Sequence, residues 1–158
     1  MNEGKKSLGY EPDSRRTQDV KGEIASLSSK VLDMMGTNGK VTEPGPNVSP
    51  CDDSDSADYY RVRHPWSMYG VSNTVLEKGM ANLSRELPRQ GWKIEKEGKD
   101  SSANRNLEIL AVHPTTRSQL EVTWLKGLDG HEALIEVSLY SRCFRSSDSP
   151  SNVPTAGG

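Results

Sequence analysis

The stretch from Thr74 to Glu97, TVLEKGMANLSRELPRQGWKIEKE, decides the fold. Leu76, Met80, Leu83 and Leu87 recur at spacings of four, three and four, the apolar stripe of a helix with one buried face. Thr74, with Glu77 three residues on, matches a capping box and marks the start. Pro88 follows Leu87 directly, and its ring would meet the carbonyl of Ser84 if the helix ran on. The helix is therefore expected to kink or stop there, with Gly91 completing the turn. From Trp92 the period drops to two, Trp92 and Ile94 alternating with Lys93, Glu95 and Glu97. A helix feeding straight into a strand sets a helix against a sheet.

Downstream the pattern is all strand. Leu107–His113 is nearly continuous in apolar residues and ends at Pro114. Leu120, Val122 and Trp124 alternate with Gln119, Glu121 and Thr123. After the turn GLDG at 127–130 comes the longest run, Glu132–Phe144, with Ala133, Ile135, Val137 and Leu139 inward. Strands in succession with short connections predict an antiparallel meander.

Upstream, Val20, Ile24, Leu27, Val31 and Met34 or Met35 follow helical spacing, with Thr17 as the expected cap and Gly36 as the stop. Lys40–Glu43 reads as a short strand, and EPGPNVSP as an edge or strap, since its prolines remove ladder donors. Tyr59–His64 alternates as a strand that Pro65 is expected to end, leaving WSMYGV as a loop into the helix. The prediction is an α+β fold: a two-layer domain whose antiparallel sheet of about four to six strands carries two helices on one face. Residues 17–145 form this single domain, with 1–16 a disordered leader or tether and 146–158 a disordered tail.

The bulk figures bound the function. A chain of 158 residues holds one core, and its 32% hydrophobic content is concentrated between 59 and 144. The formal charge of −2 leaves no net footprint for nucleic acid or an anionic membrane. Arg61, Arg63, Arg85, Arg89, Lys93 and Lys96 are interspersed with Glu86, Glu95 and Glu97, a solvated mixed surface. The N-terminus lacks the apolar stretch of a signal peptide.

Cys51 and Cys143 fit no metal or CxxC spacing. Cys143 is in phase with the inward residues of the last strand, so it is either a buried thiol or the partner of Cys51 in a disulfide. The disulfide is the sharper expectation, and it would exclude the reducing cytosol. Free thiols would instead favour the cytoplasm. In the acidic run CDDSDSAD, Asp53, Asp55 and Asp58 suggest calcium, but the sixth and twelfth positions of such a loop fall on Asp58 and His64 rather than Gly and Glu. A solvated loop is expected.

Catalytic chemistry has little to stand on. His64, His113 and His131 are scattered, and no HExxH, GxSxG or phosphate-binding glycine loop occurs. No catalytic residue, metal ligand or cofactor is implied. The candidate ligand-facing residues are His64, Trp66, Met68 and Tyr69, which would wall a site in the loop before the central helix. The competing use of the same aromatics is to plug the end of the core.

VTEPGPNVSPC, HPWSMYG, LPRQGWKI and the closing SLYSRCF resemble small secreted lipoproteins of actinobacteria, over roughly residues 17–145. The resemblance implies an envelope location and a lipid-anchored precursor with residues 1–16 as tether, the anchor lying upstream of Met1 because no lipobox is present. It brings no activity and no site residues. The expectation is a monomeric, non-catalytic extracytoplasmic module that binds a protein or envelope ligand. A small inhibitor or immunity-type protein that occludes an enzyme is the alternative, and an enzyme with a His or Cys site a third.

Overall fold

A computed structural model describes residues 10–42, 45–51 and 59–148. The central helix, α2, spans Asn73–Arg89. Ser72 rather than Thr74 caps it, its Oγ accepting from the Val75 N–H at 3.3 Å. Asn73 is committed elsewhere: its Oδ1 accepts from Trp124 Nε1 at 2.9 Å, and its Nδ2 donates to the Lys126 carbonyl at 3.1 Å. Those bonds pin the helix start to the sheet. Leu76, Met80, Leu83 and Leu87 are buried as the stripe requires. The helix runs one residue past Pro88 and closes: Gln90 N–H returns to the Glu86 carbonyl and Trp92 N–H to that of Leu87, both at 3.0 Å. Gly91, at φ +94°, makes the turn in a conformation that favours glycine.

The first helix, α1, is Thr17–Met35, and it lies beside α2, tied by Asn82 Nδ2 donating to the Met35 carbonyl at 2.7 Å. The strands are β1 (Ser14–Arg15), β2 (Lys40–Val41), β3 (Asn47–Pro50), β4 (Tyr59–Tyr69), β5 (Lys93–Lys99), β6 (Leu107–Val112), β7 (Gln119–Leu125), β8 (Leu134–Tyr140) and β9 (Phe144–Ser146). They form one sheet in the order β1-β9-β4-β8-β7-β6-β5, with β2 and β3 both pairing β4. The fold is α+β, and β5 to β8 make an antiparallel meander. Four to six strands understates a sheet of nine, and the sheet is mixed, because β1 runs parallel to β9. The two residues of β1 and the three of β9 are too short to show any period, which is why they escape a pattern reading, whereas β2 falls within the expected strand Lys40–Glu43.

Register aligns the core in rows across the sheet. Trp66 lies opposite Val137, Val137 opposite Val122, and Val122 opposite Ile109. Met68, Ile135, Trp124 and Leu107 form the next row, and His64, Leu139, Leu120 and Ala111 the one before. Both helices cover this face with Val20, Ile24, Val31, Met35 and the α2 stripe. The opposite face carries Arg63, Glu136, Gln119 and Glu121 and is not covered by either helix.

Pro65 does not end its strand. It pairs with Ser138 inside β4, and WSMY, expected as a loop, continues that strand. The N–H and carbonyl of Ser67 both bond to Thr42, away from β8. Two residues earlier the pleat turns Pro65 the same way, so its missing donor falls between the end of β3 at Asn47 and the start of the β2 pairing. A second departure sits in β5, where the register slips between Ile94 and Lys96. That bulge reverses the alternation, so Glu97 turns toward α2 and accepts from Ser84 Oγ at 2.9 Å.

The last strand, expected unbroken over Glu132–Phe144, is interrupted between β8 and β9. Ser141 fills the gap: its N–H donates to the Val62 carbonyl at 2.8 Å and its Oγ accepts from Val62 N–H at 2.9 Å. The interruption shifts the phase, so Phe144 faces the core opposite Tyr60. Cys143 is buried but leaves the core row, and it joins Cys51 in a disulfide with the Cα atoms 6.2 Å apart. Both ends of the predicted domain carry structure beyond 17 and 145. Arg145 N–H donates to the Asp13 carbonyl at 2.8 Å, and Ser147 N–H to that of Arg15 at 3.2 Å. Thr17 does not cap α1 with its own side chain. Instead the Asp148 carboxylate accepts from Thr17 N–H at 3.2 Å and from Thr17 Oγ1 at 2.8 Å. A carboxylate there satisfies helix donors and complements the dipole.

Candidate functional site

A cleft among the described residues lies between α1 and the β2–β4 edge, with a volume of about 290 Å³. Ala25, Ser28, Ser29 and Leu32 recur at i, i+3, i+4 and i+7, so one face of α1 forms one wall. Val41, His64 and Trp66 form the other. The volume sits at the small end for ligand pockets, suited to a side chain or a small fragment.

Its polar feature is a three-residue cluster. Trp66 Nε1 donates to Ser28 Oγ at 3.3 Å, and the same Oγ lies 2.6 Å from His64 Nδ1. Ser28 and Trp66 are each 5% exposed, whereas His64 is half-buried at the cleft. An indole N–H only donates, so the serine oxygen must accept from it. Burying these groups without partners would cost about 1–3 kcal/mol apiece; the cluster removes that cost and fixes the imidazole.

A serine against a histidine is also half of a nucleophile–base pair. The surroundings do not suit that use. Ser28 sits in the middle of α1, where backbone N–H groups are consumed by the helix and leave no donors for an oxyanion. Its oxygen is also engaged by the Trp66 N–H. The arrangement can present an imidazole beside an apolar wall, which is recognition chemistry.

The predicted ligand-facing residues divide. His64 and Trp66 reach the cleft from alternate positions of β4. Met68, on the same face, is fully buried in the core, with Thr37 Oγ1 donating to its Sδ at 3.1 Å. Tyr69 points to the opposite face, half-buried. The four therefore do not line one site. His113 is three strands from His64 by register and organises its own turn, its Nδ1 accepting from Thr116 N–H at 3.3 Å and its ring edge-on to Trp92 at 5.1 Å. His131 lies beside a separate pocket near Gly127. Both thiols are spent in the disulfide. Asp53, Asp55 and Asp58 lie outside the described residues, and among the described residues no group of three His, Cys, Asp or Glu side chains could hold a metal ion.

Ser28 was missed by sequence reasoning. The signal was there: four residues after Ile24 and three before Val31, it occupies the apolar stripe of α1, where a serine needs a partner. Near the other end of β4, burial pushes the Tyr60 hydroxyl up to about 12, the Asp148 charge adding to the effect and Arg15 opposing it. That hydroxyl donates to the Arg15 carbonyl at 2.9 Å and ties β1 down.

Comparison with family models, curated proteins and solved structures returned no match.

Proposed function

We propose that this α+β domain is a non-catalytic binding module of an oxidising, extracytoplasmic environment, and that its ligand enters the cleft between α1 and β4. The disulfide supports the environment, since such bonds do not persist in a reducing cytosol. The likeness to small secreted lipoproteins of actinobacteria supports an envelope location with an upstream lipid anchor. The observation that carries the binding reading is the Ser28–His64–Trp66 cluster, a fixed imidazole beside the apolar surface of Leu32 and Val41. A partner presenting one small apolar group would fit it.

Side-chain-sized probes test this. Indole, phenol and cyclohexanol titrated into the native protein should shift the NMR resonances of His64, Trp66 and Leu32, and Ala25→Trp, which fills the cleft, should abolish those shifts. Probes that bind only elsewhere, or not at all, would remove the reading. Hydrolysis of p-nitrophenyl acetate should proceed equally with native protein and with Ser28→Ala. A faster native rate would make the cluster catalytic.

A further inference from the structure

We propose that Asn38 is a self-modification site: its side-chain amide closes on the backbone nitrogen of Gly39, and the ring reopens in water to aspartate or isoaspartate. The sequence holds one Asn-Gly pair, and the structure puts it in the link between α1 and β2, outside any helix or strand. Asn38 is exposed, and its side chain makes no hydrogen bond among the described residues. The Gly39 N–H makes no backbone hydrogen bond among them either. A side chain on the following residue crowds the attacking nitrogen, and glycine has none. The other described asparagines lack this combination. Asn73 and Asn82 lie in α2 with their amides bonded to Lys126, Trp124, Met35 and Arg85. Asn47, Asn104 and Asn106 precede Val48, Arg105 and Leu107.

The step needs water alone. Closure forms a bond from the Gly39 nitrogen to Asn38 Cγ, the glycine N–H gives its proton to solvent, and the Cγ–Nδ2 bond breaks to release ammonia. Water then opens the ring at one of its two carbonyls. Attack at Cγ leaves aspartate, whereas attack at the main-chain carbonyl leaves isoaspartate, with the chain rerouted through Cβ and Cγ. Isoaspartate adds one methylene to the main chain directly before Gly39, where there is no slack. A Cβ added at Gly39 would lie 2.5 Å from Met68 Cγ and 3.1 Å from the Tyr69 carbonyl oxygen, so this residue sits hard against β4. Beyond it β2 is held by two residue pairs, Lys40–Tyr69 and Val41–Met68, and by Thr42 N–H donating to the Ser67 carbonyl at 3.0 Å. So short a ladder is a weak restraint. The added length displaces β2 from β4 and carries along Val41 and Thr42, which line the α1–β4 cleft. The modification does not rest on the binding reading of that cleft.

The test holds the native full chain in warm, mildly alkaline buffer and follows it by peptide mapping over several weeks. The peptide containing Asn38 should gain about 1 Da as an amide becomes an acid, and an isoaspartyl methyltransferase should label it. Conversion should be at least tenfold faster at Asn38 than at Asn104, which is also exposed on a turn but precedes Arg105. Asn38→Gln, an exposed change that leaves the fold intact, would have to close a larger ring and should stay unlabelled. In the isoaspartate fraction the Thr42 amide should exchange with solvent several-fold faster, while the amide of Val122, inside the sheet, keeps its native rate. An intact Asn38, conversion no faster than at Asn104, or aspartate formed without isoaspartate would overturn the proposal. Unchanged exchange at Thr42 in the isoaspartate fraction would overturn the displacement of β2.

Discussion

Removing the disulfide offers the sharpest quantitative test of how the fold is held. Cys51→Ala with Cys143→Ala opens a loop whose ends are 92 residues apart in sequence. In the chain-entropy treatment a loop of that length confines the unfolded chain by about 4.6 kcal/mol. The bond joins the end of β3 to the interruption before β9, two segments otherwise held to β4 by short ladders. Domains of this size are stable by about 5–15 kcal/mol, so the loss is a third or more of the total. With a urea slope of about 1.5–2 kcal/mol/M, the unfolding midpoint should fall by about 2–3 M. The slope itself should rise, because the unlinked denatured chain exposes more surface. Far-UV circular dichroism against urea measures both. A midpoint shift equivalent to less than about 1 kcal/mol, with the slope unchanged, would refute the loop argument. Two alkylatable thiols in native, unreduced protein would refute the bond.

Four further outcomes are expected. Gly127→Ala should destabilise by about 2–4 kcal/mol in the same assay, because its φ is +74° and an added Cβ would lie 2.6 Å from both Ala133 N and the His131 carbonyl oxygen. Gly130→Ala, at φ +83° in open space, should cost only about 1 kcal/mol of backbone strain. Asp148→Ala should cost about 1 kcal/mol by uncapping α1, a drop in Tm of about 2–6 °C by calorimetry. Tyr60 keeps its proton up to about 12 when folded, against 10.0 for an ordinary tyrosine. Between those values the unfolded chain binds fewer protons than the folded one, so stability falls as pH rises through that window and is unaffected below it. Urea midpoints across pH 10 to 12 should show this fall, and Tyr60→Phe should flatten it.

The elements legible beforehand are those whose burial is periodic. The α2 stripe and the alternation of β6, β7 and β8 follow from one buried face each, and the structure seats them as the spacing requires. What pattern could not reveal are places where tertiary partners override local rules. Pro65 survives inside β4 because its donor side faces a gap between two short strands, a fact about neighbours rather than about proline. Phe144 replaces Cys143 in the core because Ser141 bridges Val62 and shifts the phase. Asp148 caps α1 from the far end of the chain, beyond any local capping motif. At the cleft, His64 and Trp66 were visible as aromatics before a helix, but Ser28, their common partner, is joined to them only by packing of α1 on β4.

The parallel pairing of β1 with β9 has a mechanical consequence. Tension drawing residue 10 and residue 148 apart would pull β1 from its start and β9 from its end, along one axis in opposite senses. The Arg145–Asp13, Ser147–Arg15 and Thr17–Asp148 bonds are then loaded together in shear rather than opened one by one as in a zipper. A domain hung between an anchor and a partner through these two ends would meet the load first at its strongest geometry.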